Sequence, residues 1–582
     1  MQKKLFLLFI FCTISTSAFA IKVFKYSVEG TPTSLDPVQS STKYQNRIVS
    51  AICDTLYDYK YLKIPYELKP NLAAALPKIS KDGLTYTIQI KKGVFFSDDP
   101  AFKGGKGREL TAEDFVYSIK RHFDPKTLPR GAWLWQGRIK GIDDWKTAGS
   151  DYKKQVEGLK AIDKYTIQIS LVKPYPQLVY TLTKGYSAIV AKEVVEKYGP
   201  EISIHPVGSG PWVLGSFNNQ KAVLLKNKKY REEIFDLKNE GYDEKIHGFT
   251  GIKSLQGKKL PIVDQIEINF MENFSMRWIS FTKGSEIQFG FIPEQQFNNV
   301  IASRNPLSLN KEYAQKYYFL PQTEFAFRYL NFNMDDPKIG YNKDKELEKK
   351  NKALRIAIHK AWDWPQYIKT FFDDLGEAYP GIISPGIDGY DPTLSKEYIT
   401  HDPEGAKKIL KDNGWTAANL PDITYSMVSD IRQNQMYDQF RGWLITIGYP
   451  SSKIKKQTFA SFGDYSKAVK SRKTMTIAMA WGLDFPDSEN VLQLFYGPNS
   501  SPGSNNSNYN NPEYNALYEK ASTMQPSKER SEIYKKMHKL LLEDSVTIAG
   551  FSRTDLWVWH KNVILYPVEN VLGNYFKYVD IK

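Results

Sequence analysis

A chain of 582 residues, 41% hydrophobic and 25% charged, is long enough to build two or three buried cores rather than one. Two cysteines exclude a disulfide-rich scaffold, so stability has to come from burial of apolar surface. The formal net charge of +15 raises nucleic acid or an acidic surface as partners, but the lysines are scattered through mixed-sign segments such as residues 343–350. Such segments read as solvated helix faces with i,i+4 pairing, which argues against nucleic acid and leaves only weak attraction to acidic lipid or another acidic surface at a membrane.

The chain opens with Met1-Gln2-Lys3-Lys4, an apolar run over 5–14 and the small-residue site Ala18-Phe19-Ala20, the layout of a cleavable secretory signal. The run is too short to cross ~30 Å of hydrocarbon. Bulky Ile10-Phe11 before Cys12 argue against lipidation, so the expected mature chain is soluble, starts near Ile21 and keeps Cys53 alone. No later segment offers ~18 consecutive apolar residues.

Residues 22–28 alternate polar and apolar side chains and predict a strand; a helix is expected over 44–57. Residues 84–90 predict another strand. Thr111-Ala112-Glu113-Asp114 then opens a helix whose Phe115, Ile119 and Phe123 share a face. Strands are expected at 166–171, 212–217 and 262–270. Residues 231–260, rich in lysine and glycine without clear periodicity, read as a surface insertion. Helices are expected over 354–372, 403–410 and 527–542. The mixture predicts an α/β protein, and the absence of repeats or a low-complexity linker suggests lobes joined by strands that cross between them.

Taken in order, several segments resemble family 5 of the extracellular solute-binding proteins, the peptide- and nickel-binding components of ABC importers. They are Pro32-Thr33-Ser34-Leu35-Asp36-Pro37, Asp54-Thr55-Leu56-Tyr57, Leu110-Thr111-Ala112-Glu113-Asp114-Phe115 and Gly208-Ser209-Gly210-Pro211-Trp212. Further on come Arg355-Ile356-Ala357-Ile358-His359-Lys360-Ala361-Trp362-Asp363, Asp402-Pro403-Glu404-Gly405-Ala406, Trp481-Gly482-Leu483-Asp484-Phe485-Pro486-Asp487 and Asn508-Tyr509-Asn510-Asn511-Pro512. Each is weak alone; their order and spacing carry the resemblance. It implies a two-lobed periplasmic binding protein fold of type II with a hinge and an inter-lobe ligand cleft. The first lobe would hold residues 21–315 and 546–582, with an extra subdomain near 60–200, and the second 316–545.

The resemblance also implies a periplasmic monomer that binds a small ligand, a peptide by the family's habit, and passes it to permease subunits at the inner membrane. Asp484, shortly after Trp481, matches the aspartate that receives a peptide ammonium; Gly482, Leu483 and Phe485 flank it. Ser41, Thr42, Lys43 and Tyr44 occupy the first-lobe loop expected to touch ligand. The chain departs from some peptide binders in having Ile477-Ala478-Met479-Ala480 where an arginine would meet a ligand carboxylate. Without the family, Asp484 reads as a turn or helix cap, Trp481 as core and 40–44 as a polar surface loop.

No cofactor and no metal is expected. The chain lacks His-Glu-x-x-His, Gly-x-Ser-x-Gly and Cys-x-x-Cys; its seven histidines are isolated, and Cys53 sits in an apolar stretch. An exported hydrolase therefore stands behind a binding protein. The family scaffold also accepts a nickel chelate, haem or oligosaccharide, and the 14% aromatic content fits a sugar platform or an ordinary core equally.

Overall fold

The alternation read at the start of the chain becomes the strand Val23–Val28, with Phe24, Tyr26 and Val28 turned inward. This chain is described by a computed structural model over residues 21–284, 286–568 and 575–582; the expected signal peptide, with Cys12, lies outside them. Val23–Val28 runs parallel to Gln265–Phe270, Phe24 opposite Ile266 and Tyr26 opposite Ile268. Lys221–Lys226 and Trp212–Phe217 complete this sheet antiparallel. Its core also draws on the C-terminal residues Val563, Leu565, Phe576 and Val579.

A second antiparallel sheet, in the order Lys78–Ile79, Thr85–Gln89, Thr166–Ser170 and Leu159–Asp163, has its own core. Helix Ala112–Arg121 covers it, with Phe115 and Ile119 fully buried and Thr111 and Asp114 closing a capping box. Further along the chain, Ile423–Val428 and Ile454–Phe459 pair in parallel around helix Ile431–Thr446, a crossover that covers one core. Helices Pro512–Ala521 and Lys528–Asp544 belong to another.

The two lobes share one pair of long strand paths. Thr547–His560 pairs with Tyr317–Thr323 on the first-lobe side and with Ala326–Phe332 on the second. Thr323 lies opposite Thr554, and Arg328 opposite Phe551. Among the described residues Thr476–Gly482 pairs only with Ala326–Phe332 and forms the sheet edge.

Three expectations are corrected. Residues 231–260 are not a surface insertion: Phe235, Ile252, Leu255 and Leu260 are buried in the first-lobe core, and Arg231 pairs with buried Asp54 at 2.6 Å. The helix expected over 44–57 is Lys43–Ile52, because Tyr57–Tyr59 leaves to pair with Leu68–Pro70. The helix over 354–372 is two, Lys345–Ala361 and Trp364–Phe372, the second capped by Asp363 with Pro365 in its first turn.

Candidate functional site

The second-lobe wall of the cleft grows from the edge strand Thr476–Gly482 and the loop after it. The Asp484 amide donates to Asn490 Oδ1 at 3.0 Å, and Asn490 Nδ2 donates to Asp484 Oδ2 at 3.2 Å. Asn490 also accepts from Trp481 Nε1 at 3.1 Å. One buried amide therefore sets the geometry of the loop that presents the Asp484 carboxylate.

The first-lobe wall is the opening of helix Lys43–Ile52. Thr42 caps it and Gln45 answers, so the start of the helix is held by a reciprocal pair. Lys43, Asn46, Arg47 and Ser50 follow at helical spacing and face one cavity together with Ser41. The loop carrying Thr183, Lys184 and Tyr186 closes in against this face. A Cβ on Gly185 would come within 2.5 Å of Asn46 Oδ1, so any larger residue there has to displace the Asn46 amide. The floor is the crossing itself, where Glu324 pairs with Arg328 and Arg553 lies 2.9 Å from Asp555.

These parts enclose a cavity of about 400 Å³ that contains Gly482, Leu483 and Asp484 on one side and Ser41 and Lys43 on the other. A second cavity of about 600 Å³ adjoins it, sharing Lys43, Arg47, Phe291, Arg553, Asp555 and Trp557, and Tyr44 belongs to that one. The lining carries both signs. Lys43, Arg47, Lys184 and Arg553 face Glu324, Asp484 and Asp555 in the smaller cavity. Burial lowers the Lys184 pKa while the Asp484 carboxylate opposes that shift. Burial raises Asp555 against the pull of Arg553. Such a site suits a ligand that carries a cation and an anion at separate ends.

Three expected residues point elsewhere. The Thr42 side chain is engaged in the helix cap. Trp481 lies on the strand face opposite Gly482, against the core that holds Phe327 and Tyr329. Phe485 is buried and stacks on Tyr180 of the first lobe, with centroids 5.6 Å apart and planes at 5°. Asn490, Lys184, Asn46, Glu324, Arg553 and Asp555 were not singled out from the sequence. Among the described residues no cluster of histidine, cysteine, aspartate and glutamate could hold a metal ion, and no helix is long and apolar enough to cross a membrane.

Two lobes hinged on paired strands, with an unpaired strand edge and a mixed-charge cavity between them, define a solute-binding protein of the two-lobed class. The family model for bacterial extracellular solute-binding proteins, family 5 Middle, matches residues 67–503. The chain belongs to family 5 of the bacterial extracellular solute-binding proteins. It is 24% identical over 595 aligned positions to the dipeptide-binding protein of Escherichia coli K12, covering 100% of this chain and 98% of that one. Among solved structures it is similar to HbpA2 of Haemophilus parasuis, with TM-score 0.75, 17% identity and 96% and 100% of the two chains covered. It is also similar to DppA of Helicobacter pylori in complex with the peptide STSA, with TM-score 0.67, 21% identity and 96% and 98% covered.

Proposed function

We propose that this protein captures peptides between its lobes in the periplasm and hands them to the permease of an ABC importer. The observation that carries this reading is the Asp484 carboxylate, held by Asn490 just past a strand edge that pairs with nothing else among the described residues. A peptide binds as an added strand through its own N–H and C=O groups, and its ammonium meets the carboxylate. The relatives named for dipeptides and solved with a peptide support the same reading. The protein is exported through the Sec pathway, and its signal peptide is cleaved near Ala20. The lobes are residues 21–315 with 546–582, including a subdomain near 60–200, and 316–545; the protein works as a monomer. Ligand bridges the lobes, which close about the crossing strands and present the permease with the closed surface.

Native mass spectrometry of the protein purified from its own host tests the ligand. A heterogeneous set of peptide masses is expected, whereas one discrete haem, chelate or sugar mass overturns the peptide assignment. Small-angle scattering tests closure, for which an unchanged radius of gyration at saturating ligand is the fatal result.

A further inference from the structure

The strand that leads to Asp484 passes a separate cavity, of about 290 Å³, inside the second lobe. In the antiparallel pair, Gly482 lies opposite Ala326, Ala480 opposite Arg328 and Ala478 opposite Leu330. Directly opposed residues share a face of the sheet. Gly482 and Ala326 line the Asp484 cavity, and the next two pairs on the same face line the second one. The segment that lacks an arginine therefore has a use. Alanines at 478 and 480 leave space that a long side chain would fill.

The walls of that space are aromatic and thioether. Trp362, Trp364, Tyr425 and Tyr465 surround it with Met427 and Met436. Arg328 is the one cation on its lining; Glu324 pairs with it and its guanidinium lies 4.9 Å over the Phe372 ring, so its charge is already matched. Trp362 and Trp364 are 7% and 2% exposed, and neither indole N–H has an acceptor among the described residues. A cavity of ~150 Å³ lined by apolar side chains takes up benzene. The present one has room for a phenol or an indole.

We propose that this cavity receives a large aromatic side chain of the bound peptide, and so sets a preference for peptides of at least three residues with that side chain away from the amino terminus. The inference rests on the peptide reading above. Four residues separate Asp484 from Ala480, ~13 Å along an extended strand, which places the side chain on the third to fifth ligand residue.

The test is calorimetry on the mature protein with pentaalanine and with variants carrying Tyr or Asp at position 3, 4 or 5. At one of these positions Tyr binds at least tenfold tighter than Ala, and Asp no tighter than Ala. Ala480 is exposed, so Ala480→Leu blocks the cavity mouth without disturbing the core and abolishes the Tyr preference. Met436→Lys, from a different wall, gives the same loss. The proposal is overturned if pentaalanine binds and Tyr, Ala and Asp are equivalent at every position, or if both variants keep the Tyr preference. Binding of none of these peptides overturns the peptide reading itself and the proposal with it.

Discussion

Both lobes bury charge, but they do so in opposite ways. In the first lobe three interior carboxylates each meet a cation: Arg121 grips Asp36 with two bonds of 2.8 and 2.6 Å, Arg231 meets Asp54 at 2.6 Å, and Lys577 meets Glu233 at 2.8 Å. Burial pushes the Glu233 carboxyl up, yet Lys577, Arg231 and Lys69 outweigh it and hold it below the usual range. In the second lobe, the loop after Asp484 concentrates acids. Asp487 and Asp388 share one nitrogen of Arg530, at 2.9 and 3.0 Å, and Glu489 has the Tyr518 hydroxyl at 2.5 Å. Burial raises Asp487 despite Arg530, and pushes Glu489 up to about 6. The first lobe is thus a charge-balanced platform, whereas the second keeps surplus negative potential under the loop that presents Asp484. A cationic ligand group is favoured on that side of the cleft.

The largest effect should come from breaking the balanced side. Arg121→Met strands the Asp36 carboxylate in the core and is expected to cost about 3–5 kcal/mol in urea unfolding. The double variant Asp36→Asn/Arg121→Met recovers most of that, since no unpaired charge remains. On the acid-rich side, Asp484→Asn is expected to weaken peptide binding by about 2–5 kcal/mol in calorimetry, because the ammonium loses its charged partner. Its melting temperature should stay near wild type, as Asp484 is only half-buried and its amide hydrogen bonds to Asn490 are retained.

Glu489 sharpens the contrast through pH. Its folded pKa is raised from 4.5 to about 6, so the folded state holds the proton more tightly than the unfolded chain. Stability therefore falls as pH rises through that window and is level above it. Glu489→Gln should be more stable than wild type at pH 7 by up to about 2 kcal/mol, and equal to it at pH 4. The difference between the two proteins is the reading, so histidines that titrate in both cancel. The smallest effect is expected at the lobe contact: Tyr180→Leu removes the stack on Phe485, worth about 1 kcal/mol, and should enlarge the ligand-free radius of gyration in scattering.

Helix starts and alternating strands were legible because their signals are local. Thr111 with Asp114, Asp402 with Pro403 and Ser527 all cap where the sequence placed a helix start, and residues 22–28 and 84–90 alternate as expected. Residues 231–260 were misread because their apolar positions follow no period: Phe235 and Leu255 are buried in a core completed by residues some 300 positions later, such as Val563 and Phe576. In the site, Asp484 was reachable through its neighbours in the chain. Asn490 looks like any polar residue of a short helix until its amide is seen on Asp484, and Glu324, Arg553 and Asp555 meet only because two distant strands pair.

By itself the sequence determined the α/β class, the order of family segments and the loop that carries Asp484, since each is a matter of residue type and short spacing. Strand alternation also requires Trp481 and Gly482 to face opposite ways. Which of the two faces the cleft was decided by the pairing of 476–482 with 326–332 and by the helices packed on either side. The same pairing turned the missing arginine into a cavity. Register and packing join residues that lie more than a hundred positions apart, and no local pattern records which of them will meet.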